Sequence, residues 1–131
     1  MLKRNRAFIT LALVYALIAG LVGISRLGTP VVLPGDVARL HGHLMLLGFV
    51  TMMIYGIGLH VLPRFAGRVL FSERMADVQF ILANLGLWVM IYGWFVDDDR
   101  KLMFGAGVSW LAMVLFAINI AMTVRLIGPR A

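Results

Sequence analysis

Four long apolar runs dominate the sequence and limit what it can fold into. They extend from about Ala7 to Leu27, Val37 to Leu62, Met75 to Val96 and Leu102 to Ile127. An α-helix rises about 1.5 Å per residue, so each run approaches or exceeds the ~20 residues that cross ~30 Å of hydrocarbon. Lipid cannot hydrogen-bond a bare backbone, and the α-helix satisfies its backbone internally. Hydrophobic residues make up 62% of the 131-residue chain, and its mean hydropathy is +0.96. Soluble domains average roughly 45–50% apolar residues, so water is an unsuitable solvent for this surface. The expectation is an all-α fold: one membrane domain over residues 1–131, a four-transmembrane-helix bundle in a lipid bilayer.

Short, punctuated connections join the runs. Gly28-Thr29-Pro30 and Pro34-Gly35-Asp36 frame the first, with Val31, Val32 and Leu33 between them resting on the membrane surface. Pro63-Arg64 ends the second run, and Ser72 or Asp77 caps the third. Asp97-Asp98-Asp99 lies before the fourth, where acidic side chains suit a helix N-terminus. The segment Met1–Arg6 resembles the start of a signal peptide, but the apolar run behind it is too long, so a retained first span is expected.

Charge sets the expected orientation. Lys3, Arg4, Arg6, Arg64, Arg68, Arg74, Arg125 and Arg130 fall on one side, and Arg26, Arg39, Arg100 and Lys101 on the other. The richer side is expected to be cytoplasmic, with both termini inside. The net charge of +6 is dispersed between apolar runs, with no basic stripe interleaved with aromatics, which argues against nucleic-acid binding. The absence of cysteine excludes disulfides, thiolate metal sites and iron–sulfur clusters.

All three histidines, His41, His43 and His60, lie on the second run. Ionisable groups inside a span are costly and mark function by default. His41 falls about 6 Å inside the outer end, and His60 lies about 28 Å farther along, too far to share one metal. His41 and His43 differ by about 200° of rotation and face different partners. Met45, Gly48, Met52 and Gly56 follow His41 at helical spacing. Gly48 leaves room for a flat macrocycle, and methionines such as Met52 supply an adaptable wall. One reading is a haem slot with His41 as axial ligand. The other is an interfacial imidazole hydrogen-bonded to backbone or headgroup above an ordinary packing stripe. His60 is either a second ligand or an interfacial hydrogen-bonding group. Arg39, Arg26 and Arg100 suit outward-pointing propionates, or reach lipid headgroups. Asn84 and Asn119 are expected to bond between helices, and the buried Tyr15 and Tyr55 each need a partner.

The run from Leu40-His41-Gly42-His43-Leu44-Met45 through Gly48-Phe49, and on to Leu59-His60-Val61-Leu62-Pro63-Arg64, resembles the second helix of the haem–copper oxidase catalytic subunit. The similarity is nearest to its cbb-type and nitric-oxide reductase branch and to the NnrS-type haem proteins. Met75 to Gly86 resembles that family's third helix. The resemblance spans about residues 38–86 and is weaker outside it. It implies low-spin haem b on His41. No histidine follows His60, so the family's copper ligands and remaining haem ligands are missing, and oxygen reduction by this chain alone is not expected.

A second axial ligand would then come from a second copy of the chain, from Met90 or Met103, or from nowhere, leaving an open iron. A two-fold dimer pairing two His41 side chains is the favoured expectation, with His43 as the alternative ligand there. The functional expectation is a small b-type cytochrome of a bacterial or archaeal cytoplasmic membrane, transferring electrons between quinol or a redox protein and an acceptor. Its rivals are a haem sensor or scavenger of nitric oxide or oxygen, and a cofactor-free structural or assembly subunit.

Overall fold

The computed structural model describes residues 1–25, 27 and 36–125. Arg26, Arg130, the Gly28–Pro30 and Pro34-Gly35 turns and the Val31–Leu33 surface segment lie outside the described residues. Four helices are long and apolar enough to cross a membrane: α1 (Lys3–Ile24), α2 (Val37–Phe65), α3 (Glu73–Phe95) and α4 (Asp99–Arg125). Each starts or ends within a few residues of the limits read from the sequence.

Local chemistry sets the boundaries. Asp36 caps α2 by accepting from the Ala38 and Arg39 amides at 3.0 and 3.1 Å. Ser72, rather than Asp77, caps α3 through the Met75 amide at 3.1 Å. Asp98 accepts from the Arg100 amide at 3.0 Å and the Lys101 amide at 3.3 Å, opening α4. The Lys101 ammonium also donates to Asp98 and holds its carboxyl below the usual carboxylate range.

Two helices end in Schellman turns. At α2, the Arg68 amide donates to the Pro63 carbonyl at 2.9 Å and the Gly67 amide to Arg64 at 3.0 Å, with Gly67 at φ 63°. At α3, the Asp98 amide donates to Gly93 at 2.9 Å, and Asp97 takes the left-handed position at φ 51°. Aspartate tolerates that conformation better than most residues.

The helices pack antiparallel as two pairs, α1 with α2 and α3 with α4. On α1 a single stripe of Asn5, Phe8, Ala12, Tyr15 and Ala19 is buried, spaced by three and four residues. Phe8 meets Tyr55 and Phe80 edge-on, joining α1 to α2 and α3. Tyr55 meets Phe116 on α4. Small residues bring α3 and α4 together: Gly86 lies against Gly105 and Ser109. Leu17, Leu21, Ile81, Trp88, Met103, Phe104 and Trp110 point outward, which suits contact with lipid.

The predicted interhelical polar bonds take two forms. Tyr15 donates to Asn84 Oδ1 at 2.9 Å, and Asn84 returns its amide to the Phe80 carbonyl at 2.8 Å. Asn119 instead clasps the turn before α3, accepting from the Ser72 amide at 3.0 Å and donating to its carbonyl at 2.8 Å. Thr123 accepts from the Phe71 amide at 2.9 Å beside it. Tyr55 packs among aromatic rings without a hydrogen-bond partner among the described residues.

Arg4 ties the start of α1 to the start of α3. Its guanidinium donates at 2.8 Å to both Glu73 and Asp77, and also reaches Asn5 Oδ1 and the Glu73 carbonyl. The arginine side chain is 10% exposed, whereas the acids are more than half exposed. Arg4→Ala is therefore expected to cost about 1–3 kcal/mol, read as a lowered thermal midpoint in detergent. An unchanged midpoint would mean that this corner contributes nothing.

Candidate haem-ligand site

The second helix departs from regular α geometry just after His43. Residues Leu44–Thr51 form a π-helical stretch between α-helical Val37–His43 and Met52–Phe65. Its i→i+5 bonds place more residues in each turn. Gly48 and Met52 lie in the core and do not form an open slot below His41. A Cβ on Gly48 would fall 2.8 Å from Tyr15 Cβ and Cγ and 3.3 Å from Leu87. Met52 is fully buried, and Gly56 lies under Phe8 and Ile9 of α1. The space read as a macrocycle slot is filled by α1 and α3.

His41 turns toward α1. Its Nδ1 lies 2.8 Å from the Ala19 carbonyl oxygen. A carbonyl only accepts, so Nδ1 carries the proton and donates, and in the neutral ring Nε2 keeps its lone pair. Gly23, one turn beyond Ala19, makes room for the ring: a Cβ there would sit 3.0 Å from His41 Cε1 and Nδ1. The half-buried imidazole borders a recess of about 330 Å³ with Gly23, Leu27 and Ala38. This is the usual posture of a ligating histidine, one ring nitrogen donating to a backbone carbonyl and the other presented outward.

His43 faces the other way, as its rotation requires. Its Nδ1 donates to the Arg39 carbonyl at 2.9 Å within its own helix. Its ring stands against Trp94 of α3, with centroids 4.7 Å apart at 63°. Arg39 is exposed and paired with Asp36 at 3.2 Å, so its guanidinium closes the helix cap. Arg100 is exposed. Met90 is buried with its sulfur toward Ser109 on α4, and Met103 is exposed. Among the described residues no three histidine or acidic side chains gather as a metal-ion cluster.

His60 borders a separate cavity at the opposite end of the bundle, with Arg64 and Arg68. Gln79 escaped the sequence reading. It is fully buried on α3, and neither amide atom has a partner among the described residues. One glutamine in an apolar run carries no signal that separates it from a lipid-facing or partnered one. The chain matches no family model, no curated protein and no solved structure.

Proposed function

We propose that the chain is a four-span membrane haem protein, a small b-type cytochrome that works as a homodimer, with both termini on the cytoplasmic side. One observation carries the reading: His41 has its Nδ1 committed to the Ala19 carbonyl and its Nε2 available beside the recess at Gly23. The sequence resemblance to the haem–copper oxidase subunit assigns haem b to the same residue.

When bound, the haem supplies a one-electron iron couple whose potential follows its axial ligands and burial. His41 would hold the iron through Nε2. The Ala19 carbonyl fixes the ring's tautomer and direction and raises its basicity. Gly23, Leu27 and Ala38 give the recess an apolar lining that limits water. His41 is half-buried at the margin of the bundle, which suits a second imidazole supplied at the same depth by a two-fold partner. The cytoplasmic assignment follows the segregation of basic residues to the end that holds Arg4, Arg64, Arg68, Arg74 and Arg125. Electrons would pass between quinol or a redox protein and a further acceptor.

The test is a visible spectrum of the detergent-purified protein. A Soret band with the sharp reduced bands of six-coordinate haem b is expected. A reduced spectrum that shifts with carbon monoxide would favour gas binding over electron transfer. No Soret band after haem reconstitution would remove the cytochrome reading and leave a cofactor-free membrane subunit.

A further inference from the structure

We infer that the cavity at the Arg68 end of the bundle binds the phosphodiester headgroup of an anionic phospholipid. The inference uses the four-span reading and is independent of haem. The cavity measures about 420 Å³, inside the range of small-molecule sites, about 300–1,000 Å³. It lies where the start of α1, the end of α2 and the start of α3 converge, with His60, Arg64 and Arg68 on its wall.

Three observations point to an anion with an apolar tail. First, Arg68 lines the cavity, and one of its guanidinium nitrogens, Nη1, is buried without a hydrogen-bond partner among the described residues. A charged donor left so is costly, and an anionic oxygen satisfies it. The Schellman turn at Gly67 fixes the backbone here, through the Arg68 amide bond to Pro63.

Second, the acidic side chains near these cations are engaged by another arginine. Of the chain's six acidic residues, only Glu73 and Asp77 lie at this end of the bundle. Glu73 borders the cavity, but both acids are taken by Arg4 at 2.8 Å. Arg64 and Arg68 therefore face the space without an acidic partner among the described residues.

Third, apolar groups surround the basic ones. Leu59, Val69 and Leu70 share the cavity wall. Val69 is 78% exposed there, and Phe65, next to Arg64 in the chain, is 86% exposed. A free phosphate would gain nothing from those side chains, whereas the glycerol and upper acyl region of a lipid would cover them.

Native mass spectrometry of the full chain, exchanged from vesicles of phosphatidylglycerol or phosphatidylcholine, tests the assignment. Phosphatidylglycerol should be retained about fivefold to tenfold more than phosphatidylcholine, and Arg68→Gln should lower that retention by a similar factor. Arg74→Gln changes an exposed arginine outside the cavity and should leave retention within about twofold. Equal retention of the two lipids by the unaltered chain would overturn the proposal. So would an Arg74→Gln loss as large as that of Arg68→Gln, which would reveal general surface attraction. Binding of inorganic phosphate without phosphatidylglycerol would overturn the lipid assignment. Haem content reports on His41 separately, and failure of the chain to enter vesicles would count against the four-span reading itself.

Discussion

His41→Ala should abolish the Soret band, while His43→Ala and His60→Ala should keep it. On the haem reading, losing the His41 imidazole removes the bond that would fix the iron, so the haem-to-protein ratio should fall by at least about tenfold, since even outer partners of metal ligands are worth 10–100-fold in affinity. His43 has its own helix carbonyl and the Trp94 ring as neighbours, and His60 lies at the far end of the bundle. Gly23→Ala adds a finer test. Its Cβ would press on His41 Cε1 and Nδ1 at 3.0 Å, turning the ring from the Ala19 carbonyl without removing the ligand. Haem should still bind, about tenfold more weakly. The measurements are the pyridine haemochrome ratio and the reduced-minus-oxidised spectrum. A full Soret band in His41→Ala, with loss in His43→Ala, would move the ligand to the Trp94 side. Equal bands in all three single-histidine variants would remove histidine ligation altogether.

The four long apolar helices were legible because hydropathy and length act locally: four runs and their breakers set four helices whatever their neighbours. Caps were legible for the same reason, as Ser72 and the Asp97–Asp99 run show, since each acts within a few residues of itself. The opposed directions of His41 and His43 followed from rotation within one regular turn. The slot at Gly48 is closed because α1 and α3 pack into it, Tyr15 and Leu87 lying against that glycine. Tyr15 is 33 positions away in the chain, and nothing local to Gly48 marks its approach. The partner of His41 was equally remote, since the Ala19 carbonyl is a backbone atom and leaves no trace in residue type. A glycine facing the ring was present in the sequence, but it was Gly23 on another helix. Arg39 has a local partner as well, Asp36 three positions earlier, which its spacing allowed but a role as propionate ligand did not call for.

Gly86→Ala and Gly107→Ala, the same change on two long helices, should have opposite effects on stability. At Gly86 the added Cβ would meet Ser109 Oγ, and would lie 2.6 Å from the Ser109 amide nitrogen and 2.8 Å from the Gly105 carbonyl oxygen. Two of those atoms are backbone and cannot swing away, so α3 and α4 must separate along their closest approach. Such overpacking costs typically about 1–3 kcal/mol, and the loss of neighbouring contacts between Gly105 and Met90 places the expected value near the upper end. At Gly107 a Cβ would meet nothing within 4 Å, and the position is exposed. Alanine there removes only glycine's backbone freedom, so the change should be neutral or stabilising by up to about 1 kcal/mol. Thermal unfolding of the detergent-solubilised variants, followed by circular dichroism, measures both. Equal effects would show that the two glycines differ only in propensity and that α3 and α4 do not touch backbone to backbone. A large loss at Gly86 with none at Gly107 would place close backbone approach among the main forces joining this pair, because lipid tails match the helices' outer side chains in polarity and give apolar burial little advantage.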